Sequence, residues 1–165
     1  MLRAPVRAQG QARENDMHIG EICTTQTIFC TRDESVQGAA LLMRTHHVGD
    51  LIVIDQPNSE RIPVGILTDR DIVVSVIALG LDPASLLVGD VMVDDLLTCG
   101  EKDDVYETIE RMRLRGIRRV PVVNAHGGLT GIVSVDDLLE FLAEEMSELA
   151  RIGPHQQSQE KRARH

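Results

Sequence analysis

The 165-residue sequence has no tryptophan, one tyrosine and two phenylalanines. Surfaces that hold unpaired bases stack them on aromatic rings, so this composition argues against a nucleic-acid interface of that kind. Cys23, Cys30 and Cys99 form no C-x-x-C pair and are odd in number. They are expected to be free, largely buried thiols in a reducing compartment, not a disulfide framework. No apolar run reaches the length of a membrane span, and Met1-Leu2-Arg3-Ala4-Pro5-Val6-Arg7 carries charge without the apolar core of a secretory leader. These absences predict a soluble, cytoplasmic chain with neither membrane nor nucleic-acid partners. A Gly-rich phosphate loop, a nucleophile paired with a base and a metal triad are also missing, and the length leaves no room for a separate catalytic domain. An enzyme is therefore not expected. His46 and His47 are adjacent, so on a helix their side chains diverge by about 100°, and no third ligand is spaced to complete a metal site.

Aliphatic residues supply most of the 42% apolar fraction, enough for a real core in one domain or two small fused halves. The net charge of −9 is unevenly spread: residues 17–150 hold 10 basic and 23 acidic side chains, whereas both ends are basic. An acidic body repels duplex DNA and anionic membranes over long range. It still permits a phosphate gripped by a few local arginines.

The strongest signal is an internal repeat. From Ile19 to about Asp50 the chain recurs 69 residues later, pairing Ile22 with Val91, Cys30 with Cys99, Met43 with Met112, and Val53 with Val122. After Ile54 the first copy is three residues longer, at Gln56-Pro57-Asn58-Ser59 against Ala125-His126-Gly127-Gly128. Length variation confined to a polar stretch is what a hairpin loop tolerates. Each copy reads as a lead-in segment (Thr24–Cys30, Asp94–Cys99), an amphipathic helix (Ser35–Thr45, Asp104–Arg115), an apolar strand (Leu51–Ile54, Val120–Val123), its hairpin partner (Val64–Leu67, Leu129–Val133) and a closing helix (Asp71–Leu79, Asp136–Leu149). Continuous apolar strands imply sheets covered on both faces. Gly80 is expected to end the first closing helix and Gly153-Pro154 the second. The second closing helix carries more apolar surface than one small half buries, which points to a partner subunit. The arginines of Arg111-Met112-Arg113-Leu114-Arg115 read as a solvated helix face, and Arg70 as a phosphate, partner or salt-bridge contact.

Each copy closes on one phrase: Gly65-Ile66-Leu67-Thr68-Asp69-Arg70-Asp71-Ile72 and Gly131-Ile132-Val133-Ser134-Val135-Asp136-Asp137-Leu138. Thr68 and Ser134 sit where a helix N-cap belongs, with Asp71 and Asp137 in the first turn. Read blandly, these are caps and dipole-favoured acids. Read functionally, a helix N-terminus favours an anion, and the carboxylate can accept hydrogen bonds from two vicinal sugar hydroxyls.

Two halves that close on G-h-h-[ST]-x-x-D-h resemble a tandem pair of CBS domains, a Bateman module, over about residues 19–150. The resemblance implies an α/β (α+β) fold of two pseudo-symmetric repeats, residues 19–82 and 83–150, packed sheet to sheet. A flexible arm (1–18) and a polar, basic tail (151–165) would flank them. It implies clefts for adenine ligands (AMP first, then ADP, ATP, NAD or S-adenosylmethionine), with no obligatory cofactor. It further implies a homodimer and a regulatory role transmitted to an effector protein. By position, Asp71 and Asp137 match the ribose-binding residue, and Thr68 and Ser134 match its neighbouring hydroxyl. Ile117, Arg118, Arg119 and Pro121, with Val48, Gly49 and Asp50 in the first copy, match the wall facing base and phosphate. Arg118 and Arg119 suit phosphate because a guanidinium meets two oxygens at once. Asp50 stands where an arginine would help, so the clefts are expected to be unequal, with Asp137, Ser134 and Arg118 forming the preferred one and Arg119 reaching the other. The alternative function class is a ligand-free interaction or stress-response module.

Overall fold

The computed structural model describes residues 17–163, so most of the predicted N-terminal arm lies outside the described residues. Two three-stranded sheets carry the repeat. In the first, β1 (Phe29–Cys30) runs parallel to β2 (Asp50–Asp55), which pairs antiparallel with β3 (Ile62–Thr68). In the second, β4 (Cys99–Gly100), β5 (Arg119–Val123) and β6 (Leu129–Ser134) repeat that order and those directions. The registers correspond: Asp50 lies opposite Thr68 and Arg119 opposite Ser134, and both hairpins shift register at the same step, Val53/Ile54 and Val122/Val123.

Helices α2 (Val36–His46) and α5 (Val105–Arg115) start under side-chain caps. Ser35 Oγ accepts from the Gly38 N–H at 3.0 Å, and an Asp104 carboxylate oxygen from the Glu107 N–H at 2.9 Å. Both end in a left-handed residue at the equivalent position, His47 (φ 55°) and Gly116 (φ 66°). Their inner stripes, Val36, Ala39 and Met43, and Val105, Thr108 and Met112, are buried.

Two short helices exchange places between the halves. Helix α1 (Ile19–Ile22) precedes the first sheet yet docks on the second half, with the Ile19 N–H donating to Asp103 O at 3.0 Å and Gly20 to Glu101 O at 2.9 Å. Helix α4 (Val88–Val91) docks in the same way on the first half, Val88 N–H to Glu34 O at 2.8 Å and Gly89 to Arg32 O at 3.0 Å. Ile19 belongs to the second apolar core and Val88 to the first, each fully buried. Sealing such a side chain from water contributes about 1.5–3 kcal/mol. The predicted boundary at 82/83 therefore divides the chain but not the cores. Met17, expected in the loose arm, packs against the second core, and His18 bridges to Asp104.

The chain just after α1 and α4 adds a second crossing. Thr24 bridges Ile132 and Val93 bridges Ile66, with backbone bonds of 2.9–3.0 Å in both directions. This explains the glycine that opens each repeated phrase. A Cβ on Gly131 would lie 2.8 Å from Cys23 Sγ and 3.0 Å from Thr24 O, and one on Gly65 would lie 2.7 Å from Met92 Sδ and 2.9 Å from Val93 O.

The closing helices differ from expectation. Helix α3 (Asp69–Ile72) begins two residues early and passes into a π-helical turn over Val73–Ile77, closed by Ala78 N–H to Val73 O and Leu81 N–H to Val76 O. Gly80, at φ 68°, follows as the stop. Helix α6 spans Val135–Ala163, so Gly153-Pro154 does not end it and the predicted tail is largely helical. An interior proline removes one helix hydrogen bond and crowds the carbonyl four residues back, a cost of about 3 kcal/mol, and the residues beyond (Gln156, Glu160, Lys161, Arg162, Ala163) are mostly good helix formers that favour continuation.

Candidate functional site

Where the halves meet, two clefts open, each walled by both repeats. At the head of α3, Thr68 and Asp71 form a reciprocal capping box: Thr68 N–H donates to Asp71 Oδ2 at 2.9 Å, Thr68 Oγ1 lies 2.6 Å from the same oxygen, and the Asp71 N–H donates to Oγ1 at 3.1 Å. Ser134 and Asp137 repeat it at 2.7, 2.5 and 3.2 Å. The bland reading of these residues is thus correct as far as it goes: each Oδ2 is spent on its own backbone. What distinguishes the two is Oδ1. Thr24 Oγ1 reaches Asp137 Oδ1 at 3.4 Å, whereas no hydrogen bond among the described residues falls on Asp71 Oδ1.

The Thr68 cleft, about 460 Å³, is lined by Ile66, Thr68, Asp69, Arg70 and Asp71 from the first half and by Val93, Gly116, Ile117, Arg118 and Arg119 from the second. The Ser134 cleft, about 180 Å³, is lined by Val48, Asp50 and Ile52, the lead-in residues Thr24, Gln26, Thr27 and Ile28, and Arg119, Ile132, Ser134 and Asp137. The sequence grouping is therefore corrected. Arg118 lines the cleft of Thr68 and Asp71, not that of Ser134 and Asp137, because the wall of one repeat faces the cap of the other. Gly49 and Pro121 line neither cleft. Gly49 O accepts from the Asp69 N–H at 3.0 Å, and Pro121 is buried opposite Ile132 in the second sheet. The sequence reading missed the lead-in residues, although Thr24 and Val93 are equivalent across the 69-residue offset.

Asp50 does not stand as an isolated repelling charge. Arg119 Nε meets Asp50 Oδ1 at 2.7 Å, and the Asp50 side chain is only 12% exposed. Burial pushes the Asp50 carboxyl above its usual range, against the opposing pull of Arg119, and Asp69 adds to the rise. The two partners occupy the same position in their respective repeats, so the pseudo-two-fold brings them face to face. Two arginines there would repel.

The remaining cations sort clearly. Arg118 is 70% exposed and reaches Asp136 only at 3.8 Å. Arg70 is exposed and has no ion pair among the described residues, which leaves both available to the Thr68 cleft. Arg111 pairs with Asp103 at 2.9 Å and donates to Thr98 O at 2.6 Å, Arg115 pairs with Asp95, and Arg113 lies 3.7 Å from Glu110. The basic run on α5 is thus largely neutralised. Among the described residues no three His, Cys, Asp or Glu side chains gather as a metal site, and no helix is long and apolar enough to cross a membrane. Cys23, Cys30 and Cys99 are free thiols, the last two buried.

Comparison with known proteins agrees with this architecture. The chain is 32% identical over 122 residues to the uncharacterized protein MK0525 of Methanopyrus kandleri, a match covering 74% of this chain and 61% of that protein. It is 32% identical over 131 residues to the CBS domain-containing protein CBSX3 of Arabidopsis thaliana, covering 78% and 63%. The chain thus spans under two thirds of the length of these relatives. The solved CBS-domain pair of protein MJ0100, in complex with 5′-methylthioadenosine and S-adenosyl-L-methionine, has the same fold at a TM-score of 0.66 and 23% identity, covering 76% of this chain and 99% of that one. Residues 19–77 and 88–144 each match the CBS domain model, and with two such segments closing one on the other, the chain belongs to the CBS-domain family as a tandem pair.

Proposed function

We propose that this protein is a regulatory sensor of adenine nucleotides, with AMP as the best-fitting ligand and the Thr68 cleft as its principal site. The observation that carries this reading is the meeting of an uncommitted Asp71 Oδ1 with Arg70 and Arg118 in one cleft of about 460 Å³. Small-molecule sites run from about 300 to 1,000 Å³, so this cleft is large enough for a nucleotide and the Ser134 cleft, at about 180 Å³, is not without opening. In this reading Asp71 Oδ1 accepts from the ribose hydroxyls, and Ile66, Val93 and Ile117 flank the base. The phosphate lies against Arg118 and Arg70, beside the N-terminus of α3. Adenosyl ligands in the similarly folded MJ0100 pair support the ligand class. No chemistry is required of the site, and Thr68 and Asp71 act as binding groups, not as catalysts.

The response would be transmitted by differential affinity: a ligand touching both halves favours the relative arrangement that best fits it. Leu139, Met146, Leu149 and Ile152 are exposed along α6 and suit a second copy or an effector protein. Calorimetric titration with AMP, ADP, ATP, NAD and S-adenosylmethionine tests the reading. A tight AMP site that is lost in Asp71→Asn and kept in Asp137→Asn is the expected result. Absence of heat with every ligand, together with an unchanged melting temperature, would favour a ligand-free interaction module.

A further inference from the structure

Arg119 lines both clefts, while its ion-pair partner Asp50 lines only the Ser134 cleft. The Arg119 side chain is 37% exposed, so its guanidinium is open to a second anionic partner besides Asp50. When the pair is closed, the Ser134 cleft contains two carboxylates, Asp50 and Asp137, against one shared arginine. The Thr68 cleft contains three arginines, Arg70, Arg118 and Arg119, against Asp69 and Asp71.

We infer that the Asp50–Arg119 pair makes the two clefts compete for one cation. This rests on the nucleotide reading above. A phosphate bound in the Thr68 cleft draws the Arg119 guanidinium toward it and loosens its hold on Asp50. The Asp50 carboxylate then faces the Ser134 cleft without its counter-charge. That cleft becomes hostile to a second anionic ligand and suited to an uncharged or cationic nucleoside. The two clefts of one chain therefore differ in ligand class: a phosphate-bearing nucleotide on one side, a nucleoside without net negative charge on the other. The device depends on the divergence of two symmetry-equivalent positions, since like residues at 50 and 119 could not hand one charge back and forth.

The test is calorimetry with AMP and with adenosine on the wild type, on Asp50→Asn, and on the charge exchange Asp50→Arg/Arg119→Asp. The exchange keeps a salt bridge in place should the single variant fold poorly. In the wild type, one AMP is expected to bind at least tenfold more tightly than a second, and saturating AMP should leave adenosine binding to the second cleft intact. In Asp50→Asn the two AMP constants should converge to within a few-fold. In the charge exchange the tight site should weaken at least tenfold and the weak one strengthen. AMP binding with equal constants in the wild type, or a ratio unaltered by either variant, would overturn the coupling and leave the nucleotide reading standing. No AMP binding in any of the three proteins would overturn both.

Discussion

Replacing Asp71 separates a capping role from a binding role. In Asp71→Ala the Thr68 N–H and Oγ1 lose partners at 2.9 and 2.6 Å in a half-buried setting. Losing a good cap costs about 0.5–2 kcal/mol, and losing a carboxylate from a first turn about 0.3–1 kcal/mol more. For a chain of this size each kcal/mol moves Tm by roughly 2–4 °C, so Asp71→Ala should melt about 2–12 °C below the wild type. Asp71→Asn keeps an acceptor for the Thr68 N–H and should recover roughly half of that loss. Ligand stabilisation is read from the same melts. At one hundred times Kd a nucleotide adds about 2.7 kcal/mol, a rise of roughly 5–11 °C. Differential scanning calorimetry with and without AMP should therefore show that rise in the wild type and in neither variant. If Asp71→Ala melted with the wild type, the capping argument would be wrong. If it kept the AMP-dependent rise, Asp71 would not be the ribose contact.

Other perturbations have defined outcomes. Burial pushes the Cys30 thiol to about 11 and Cys99 to about 12, against 9.0 for an ordinary thiol. Because the unfolded chain loses those protons first, stability should be complete below pH 9 and fall as pH rises from 9 toward 11–12, by up to about 1.4 kcal/mol per pH unit per thiol. Urea unfolding at pH 8 and pH 10.5 checks this, and Cys30→Ser/Cys99→Ser should flatten the slope. Gly131→Ala places a methyl 2.8 Å from Cys23 Sγ and 3.0 Å from Thr24 O, so denaturant unfolding should report a loss of about 1–3 kcal/mol. Arg118→Ala should weaken AMP about tenfold in titration while leaving Tm within a degree or two, since the side chain is exposed and its one ion pair is long.

The repeat made most of the fold legible. An offset of 69 residues, falling to 66 past the hairpin loop, identified equivalent helices, strands and hairpins, and the alternation of polar loop and aliphatic run gave their order. What the offset could not reveal is which half each short element serves. Ile19 and Val88 each begin a helix of four residues, too short for a periodic signal, and both pack on the half they do not precede. The same blindness misassigned Arg118. Sequence proximity joined it to Ser134 and Asp137, whereas the clefts are built across the halves. Asp50 looked like a defect in a phosphate site because its partner lies 69 residues away. The length of α6 escaped because Gly153-Pro154 is ordinarily a stop signal and no apolar periodicity continues in the sequence beyond it.

The exchange of α1 and α4 bears on how such a chain could be shortened. A fragment holding a single half would leave the seat of its missing short helix open, baring the carbonyls of Glu101 and Asp103 or of Arg32 and Glu34. It could close only by lending its own leading turn to a sister fragment and borrowing one in return. Covalent fusion makes that reciprocal loan internal, so each half is permanently the other's missing piece. It also relieves the two halves of having to be alike, and an acid could then settle where its twin carries a base.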